Sequence, residues 1–467
     1  MAEGFNERLF GTDGIRGVAG VFPLDESTVE RIGRSLAENL KRDLGHDPAL
    51  IIGRDTRESG PRLEEWLARG AVAAGARVES AGVITTPGVA FLARTIPFDA
   101  GVVISASHNP YRDNGIKVFS RSGKKISDEM EARIERDVAR SSRPDAPSGS
   151  PGEMAGEGSD LEFCSTLPLH REQYISYLVG DVSGGLSLGG MRLALDCANG
   201  AASFIAPEIF KRLGAEVEVI CASPDGQNIN ENCGSLHTEG LRSLVVEGKF
   251  DLGIAFDGDA DRALFIDERG DLVDGDHTLL VLADHMKLLG VLGEDTVVST
   301  VMGNLGLELA LRERGIKMVR AQVGDRFVLE ELIALNAKLG GEQSGHIIFP
   351  DISLAGDGLI TAIELLRVVR DSGRTLGELA ASLTKFPQVL VNVRVPSKPP
   401  LERLSVVMDL IEKIEREMEG RGRLLVRYSG TENLARVMIE GEDFNEIQRH
   451  AALLARTIKE SIESLAV

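Results

Sequence analysis

Residues 101–115 read GVVISASHNPYRDNG. Val102, Val103 and Ile104 form a β-branched apolar run suited to a strand. The run stops abruptly at Ser105-Ala106-Ser107-His108-Asn109-Pro110. Strand ends that open into small polar loops are where open α/β sheets place their chemistry. Asn-Pro also marks ordinary turns, so by itself the stretch reads equally as a plain turn or as a loop that presents a hydroxyl nucleophile.

The same order of elements recurs twice downstream. The first block runs ALIIGRDTR (49–57), a helix-like stretch, GARVESAGVITTP (75–87) and DAGVVISASHNP (99–110). The second runs RLALDCANG (192–200), a helix-like stretch, GAEVEVICAS (214–223) and FDLGIAFDGDADR (250–262). The third runs TVVSTVMGN (296–304), a helix-like stretch, GIKMVRAQVGDR (315–326) and AKLGGEQSGH (337–346). Each passes from strand through polar loop and helix to a second strand, then to a segment that ends in a polar loop. This alternation predicts three related α/β domains with parallel or mixed sheets covered by helices. From about Phe386 the pattern changes to a smaller α+β domain. Strand-like QVLVNVRV precedes a helix over 401–418, LLVRYSG and ARVMIEG form a strand pair, and Ile447, Ala451, Leu454, Ile458 and Ile462 share one face of a last helix. Near the N-terminus, Val29, Ile32, Leu36 and Leu40 make the buried stripe of a first helix. Ser141 to Ser159, rich in Pro, Gly and Ser, reads as a linker.

Length and composition agree with several domains. The chain has 467 residues, against about 150 per domain. Aromatics make up only 4% of it, so the cores rest on Val, Ile, Leu and Ala. Lys and Arg number 52 against 72 Asp and Glu, a formal net charge of −20 at pH 7. An acidic surface of this kind argues against nucleic acid or an anionic membrane as partner, though a cleft can still gather Arg and Lys around a small anion. No apolar run approaches the length of a membrane span, and MAEGFNERLFGTDG has no apolar core of a signal peptide. Four scattered cysteines, Cys164, Cys197, Cys221 and Cys233, form no C-x-x-C. A reducing cytoplasm is the expected compartment.

Four further loops carry chemistry. In DGDADR (257–262), Asp257, Asp259 and Asp261 alternate after an apolar run, and three carboxylates so close repel one another unless a cation lies among them. Oxygen donors alone suit Mg²⁺ or Ca²⁺. An EF-hand would place Glu268 at its twelfth position, but Arg262 stands where that loop needs Gly and the flanks read as strands. The other reading is a solvated acidic turn. GGEQSGH (340–346) offers donors and acceptors between glycines, suited to a polyhydroxyl ligand. RYSGTEN (427–433) brings a guanidinium, two hydroxyls and exposed backbone N–H groups together, as phosphate binding requires, and Arg436 adds a second guanidinium. FGTDGIRG (10–17) is Gly-rich and contains Arg16, and Lys117 follows the serine loop. A hydroxyl, a carboxylate cluster, a sugar-type loop and a phosphate loop together point to phosphoryl transfer on a phosphosugar.

FGTDGIRG, ISASHNPYRDNGIKVF, DGDADR, GEQSGH and RYSGTE occur here in the order of the motifs of the α-D-phosphohexomutases, and the chain resembles that family over essentially its whole length. The resemblance implies three related α/β domains and a C-terminal α+β domain around a central active-site cleft, placed here at residues 1–158, 159–260, 261–380 and 381–467. It implies that Ser107 is a phosphoserine, and that Asp257, Asp259 and Asp261 bind Mg²⁺ with an oxygen of that phosphoserine. It further implies that Glu342, Ser344 and His346 contact the sugar, and that Arg427, Ser429, Gly430 and Thr431, with Arg436, hold the non-reacting phosphate. Arg16, His108, Lys117, Arg262 and His346 are the implied helpers for charge or proton transfer. The phosphate loop departs from the family's usual pattern, with Tyr428 and Asn433 where Pro is common.

Within the family, STVMGNLGLE, VGDRFV, NINENCGS and FPQVLVNVRV match most closely the members that interconvert glucosamine 6-phosphate and glucosamine 1-phosphate through a 1,6-bisphosphate. A hexosamine or glucose 1,6-bisphosphate is then the expected activator. The expected state is a cytoplasmic monomer or homodimer whose partner is a small phosphosugar. The alternatives are a mannose or glucose phosphomutase of the same family, a metal-dependent phosphatase, or a non-catalytic phosphosugar-binding protein.

Overall fold

A computed structural model describes residues 8–11, 13–141, 167–429 and 433–465. The chain forms two compact units, residues 1–302 with 316–381, and residues 303–315 with 382–467. Most of the linker stretch, from 142 onward, and Cys164 lie outside the described residues.

The first unit contains three mixed sheets built on one plan. In the first, Ala49–Arg54 pairs in parallel with Arg77–Val83 on one side and Ala100–Ile104 on the other. Asp113–Ser120 then returns antiparallel to Ala100–Ile104, and Gly14–Val18 and Phe10–Gly11 extend that edge. In the second sheet, Arg192–Asp196 pairs in parallel with Glu216–Ile220 and Leu252–Phe256, and Ala263–Asp267 returns antiparallel. In the third, Thr296–Thr300 pairs in parallel with Lys317–Ala321 and Leu339–Gly341, and Ile347–Ile348 returns antiparallel. The repeat read from the sequence is therefore a repeat of topology. In each sheet the polar loop occupies the same place, between the last parallel strand and its antiparallel return.

Local chemistry sets the helices that cover these sheets. The first helix, Glu26–Leu44, starts where Asp25 accepts a hydrogen bond from the Thr28 N–H, and ends at Gly45 in the left-handed region. Its expected stripe, Val29, Ile32, Leu36 and Leu40, is buried against the first sheet. The next helix, Gly60–Ala73, lies directly against it. A Cβ on Gly33 would fall 2.1 Å from the Leu67 carbonyl oxygen, and one on Gly70 1.9 Å from that of Glu30. The two backbones touch because both contact positions lack a side chain.

One cap matters for the functional loops. Asp357 opens the helix Gly358–Ser372, its Oδ1 accepting from the N–H groups of Leu359 (2.9 Å) and Ile360 (3.2 Å). Its other oxygen accepts from the buried Tyr174 hydroxyl, and the Gly358 N–H donates to Ala260 O in the acidic loop (3.0 Å).

The second unit holds an antiparallel sheet in the order Gln388–Arg394, Leu434–Gly441, Gly422–Tyr428. The helices Ser405–Glu417 and Phe444–Leu465 accompany it. All five residues of the predicted last stripe, Ile447 to Ile462, are buried in its core. The helix Leu305–Glu313, which connects two strands of the third sheet, belongs to this unit. Its cap Asn304 exchanges hydrogen bonds with the Phe386 backbone in both directions, 3.0 Å each. A Cβ on Gly306 would lie 2.1 Å from Thr384 O. Among the described residues no helix is long and apolar enough to cross a membrane.

Replacing Asp357 by Ala removes the one oxygen that accepts both helix-start hydrogen bonds and the carboxylate oxygen that accepts from the buried Tyr174 hydroxyl. The unfolding free energy is expected to fall by about 2 kcal/mol, measured by urea denaturation; an unchanged midpoint would show that other contacts hold this helix start.

Candidate active site

Ser107 is fully buried and sits in the left-handed region at φ 53°. A non-glycine residue there is uncommon and needs its surroundings to hold it. The Ser107 N–H donates to Ser105 Oγ (2.9 Å). The Ser107 carbonyl accepts from Arg57 Nη2 (3.2 Å) and from Asn230 Nδ2 (2.9 Å), and both donors also reach Asn109 O, at 2.6 and 3.0 Å. Arg16 Nη1 donates to the Ala106 carbonyl (2.8 Å). Three long side chains thus fix the loop through its carbonyls and leave the serine hydroxyl free to face the acidic loop.

The Ser107 hydroxyl donates to Asp257 Oδ2, and its oxygen is 3.3 Å from His108 Nδ1. Asp257, Asp259 and Asp261 are all buried, with one carboxylate oxygen of each within 4.8 Å of the others. Asp259 Oδ2 accepts from Thr86 Oγ1 (2.6 Å) and from Lys117 Nζ (3.1 Å). Lys117 is itself buried and also pairs with Asp13 (3.1 Å) and Asp261 (3.5 Å). Asp13 pairs in turn with Arg16 and Lys125.

Burial alone would discharge these groups, and each departure has a cause. Burial, with Asp261 and Asp259 beside it, pushes the Asp257 carboxyl well above the usual range. Burial opposes ionisation of Asp261 too, but Lys117 and His346 hold it well below that range. Burial would lower Lys117, yet the carboxylates of Asp13, Asp259 and Asp261 outweigh it and keep the ammonium charged. Burial and the neighbouring Arg262 and Arg16 bring His108 down to about 4.

The acidic cluster fits a hard divalent cation. Asp259 Oδ1 and Asp261 Oδ1 are buried and accept no hydrogen bond, a costly state for carboxylate oxygens, and all the donors are oxygens, as Mg²⁺ or Ca²⁺ prefers.

The remaining loops of the first unit join here. The Ala263 N–H donates to Gly345 O (3.2 Å), tying the acidic loop to the sugar-type loop. His346 Nδ1 lies 3.7 Å from Asp261 and its Nε2 3.9 Å from Asp325. Arg262 Nη1 is 3.1 Å from His108 Nδ1. Glu342 accepts from the Gly324 N–H (3.1 Å) and from Ser344 Oγ (3.4 Å), so these two are oriented as a pair. In the second unit, Arg427 and Arg436 stand directly opposite each other on paired strands. Two guanidinium groups so placed repel, and an anion between them relieves the repulsion. Ser429 is buried, its carbonyl accepting from Lys398 Nζ (2.7 Å). Gly430 and Thr431 lie outside the described residues.

Four phosphoglucomutase/phosphomannomutase domain families match successive segments of the sequence. These are α/β/α domain I at residues 7–145, domain II at 172–270, domain III at 274–386 and the C-terminal domain at 390–457. The chain belongs to the α-D-phosphohexomutase family. It is accordingly an enzyme of the isomerase class. Among its relatives, the phosphoglucosamine mutases of Solibacter usitatus and Koribacter versatilis are each 49% identical to it. The alignments cover 97% of this chain and 98% and 97% of the relatives. Among solved structures, a phosphoglucomutase/phosphomannomutase family protein from Burkholderia thailandensis shares the fold with a TM-score of 0.76, at 24% identity and 97% coverage of both chains. The Aspergillus fumigatus N-acetylphosphoglucosamine mutase, solved with GlcNAc-6P and magnesium, has a TM-score of 0.64 at 17% identity, covering 97% of this chain and 96% of that one.

Within this phosphohexomutase, Ser107, His108, Arg16, Lys117, the three aspartates, Arg262 and His346 converge in the first unit. The sequence reading did not single out Asp13, Arg57, Lys125, Asn230 or Asp325. Asp13 lies inside the FGTDGIRG motif and Asn230 inside NINENCGS, so the motifs held the signal although no single residue announced it.

Lys117→Met leaves Asp13, Asp259 and Asp261 facing one another without their shared cation. Stability should fall by about 3–5 kcal/mol, the range for breaking a buried ion pair, and a divalent cation should restore part of it in thermal melts. A loss below about 1 kcal/mol would mean that Lys117 does not balance this cluster.

Proposed function

We propose that the enzyme interconverts glucosamine 6-phosphate and glucosamine 1-phosphate, with Ser107 as the phosphate carrier. The observation that carries this reading is the buried Ser107 hydroxyl donating to one of three clustered carboxylates, within a ring of Arg16, Lys117 and Arg262. Phosphoryl transfer needs an oxygen carrier, positioning, and positive charge around the moving group. The amino-sugar substrate is supported by the names of the relatives and by the motifs shared with them.

Asp257, Asp259 and Asp261 would hold Mg²⁺, which when bound neutralises charge on the transferring phosphoryl oxygens. The cycle starts from phosphoserine. A hydroxyl of the bound hexose monophosphate attacks phosphorus, the Ser107 Oγ–P bond breaks, and a 1,6-bisphosphate forms as the hydroxyl proton leaves. After the sugar turns end for end, Ser107 Oγ takes the other phosphate and the isomer is released. Arg16 and Arg262 supply fixed positive charge beside Ser107. His108, whose Nδ1 is in reach of Ser107 Oγ, is the group assigned to the proton, while Lys117, held as the ammonium by Asp13, Asp259 and Asp261, adds fixed positive charge among the carboxylates. Glu342, Ser344 and His346 read the sugar hydroxyls. Arg427, Ser429, Gly430, Thr431 and Arg436 hold the phosphate that is not reacting. A hexosamine or glucose 1,6-bisphosphate would prime unphosphorylated Ser107. The enzyme is read as a cytoplasmic monomer or homodimer.

Three experiments test this. Intact mass of the native protein should show one added phosphate (about 80 Da) that is absent from Ser107→Ala, with turnover lowered by at least about 10³-fold; turnover that survives the substitution sinks the mechanism. Chelation should abolish activity and Mg²⁺ restore it. With glucosamine, glucose and mannose 6-phosphates compared side by side, glucosamine 6-phosphate should give the highest kcat/KM, and preference for mannose or glucose would reassign the substrate within the family.

A further inference from the structure

Cys221 and Cys233 take no part in the site described above, yet the fold brings them together. Cys221 follows the strand Glu216–Ile220, and Cys233 precedes the turn Gly234–Leu236. Their sulfurs lie within 4.8 Å of each other and of an Asp196 carboxylate oxygen. Cys221 is half-buried and Cys233 buried behind it. Cys233 beside it lowers the Cys221 thiol from its ordinary value.

A cation is not what this group calls for. Asp196 Oδ1 accepts from the Ala198 N–H (2.9 Å), Asp196 Oδ2 from the Gly234 N–H (2.8 Å), and Cys233 Sγ from Asn199 Nδ2 (3.9 Å). None of these atoms is left without a hydrogen bond, in contrast to the bare oxygens of Asp259 and Asp261. An accessible thiol of lowered pKa with a second thiol behind it is instead the arrangement of an attacking and a resolving cysteine.

The loop between the two cysteines also holds the serine loop. Asn230, at φ 59° and anchored by its own N–H to Ala198 O (2.9 Å), is the residue whose amide donates to Ser107 O and Asn109 O. Gly226 O, in the same loop, accepts from the Glu58 N–H (2.9 Å).

We propose that Cys221 and Cys233 form a reversible disulfide that moves the Asn230 amide off the Ser107 loop and so lowers turnover; the effect on turnover rests on the function proposed above. A disulfide is about 2.05 Å long, far shorter than any contact between unbonded sulfurs, so its formation draws the two ends of the 222–232 loop together. The oxidant is a low-molecular-weight disulfide of the glutathione class. The Cys221 thiolate attacks one of its sulfurs and expels the first thiolate. Cys233 then loses its proton and attacks Cys221 Sγ, expelling the second. Two electrons pass to the oxidant, which ends as two thiols carrying the two cysteine protons.

The full-length enzyme is equilibrated in glutathione buffers of rising oxidised fraction and followed by intact mass, peptide mapping and turnover. The expected result is a loss of 2 Da (about two hydrogens, one per thiol) and a peptide joining Cys221 to Cys233, with turnover reduced about tenfold, the order for losing a buried hydrogen bond to the reacting segment. Dithiothreitol should reverse all three. Cys221→Ala and Cys233→Ala should each keep the reduced enzyme's turnover in every buffer. The proposal is overturned if the wild type keeps both thiols in fully oxidised buffer, stops at a glutathione adduct on Cys221, or forms the disulfide with turnover unchanged. It is equally overturned if the purified protein retains a stoichiometric zinc ion at these thiols. Absence of mutase activity in the reduced enzyme would remove the proposed function, while the peptide map would still decide the disulfide.

Discussion

A lysine ammonium buried among carboxylates organises the functional half of this molecule. Taking a charge out of water costs several kcal/mol unless partners replace the hydration, and Lys117 finds them in Asp13, Asp259 and Asp261. Those three come from the N-terminal hairpin region and from the loop of a different sheet, while Lys117 lies on the strand that returns from the serine loop. One cation therefore locks three segments distant in sequence. The charge also works in reverse. Asp259 and Asp261 can lie side by side in the interior because Lys117 is between them, and without that arrangement the acidic loop would have to face water.

The second organising feature is topological. Each of the three related sheets places its polar loop after the last parallel strand, before the chain turns back. A duplicated scaffold can then present a hydroxyl in one copy, carboxylates in the next and a sugar-type loop in the third. Stitching between the copies is backbone-close: Gly258 approaches the Ser107 carbonyl so nearly that a Cβ there would stand 2.6 Å from its oxygen. Ala263 likewise bonds directly to Gly345.

What the sequence revealed and what it hid divide along the range of the interactions. The loops around Ser107, Asp257 and Glu342 were legible because each is a contiguous polar run at the end of an apolar one. The stripes from Val29 to Leu40 and from Ile447 to Ile462 were legible because helical spacing is local. Arg57 and Asn230 were not, because their role is to reach carbonyls about 50 and more than 120 positions away in the chain, and no local pattern encodes a partner so distant. The closeness of Cys221 and Cys233 is hidden in the sequence for the same reason. The helix Leu305–Glu313 shows the limit most directly. Its sequence marks it as the crossover of the third repeat, which it is by connection, but amphipathicity does not say which surface a helix will cover, and Asn304 and Gly306 commit it to Phe386 and Thr384.

That helix has a consequence for how such a protein can be taken apart. The polypeptide passes from the first unit to the second at 302, back at 315 and over again at 381, so the C-terminal unit is discontinuous along the gene. A fragment beginning at 382 would lack Asn304 and leave Phe386 without its partners. It would also leave the buried Glu440, which Arg423 and Gln388 contact, without the Asn304 amide. Although its sheet and two helices look like a self-sufficient cassette, cutting or grafting this domain at its sequence boundary would leave the Asn304 hydrogen bonds behind with a piece of the third repeat.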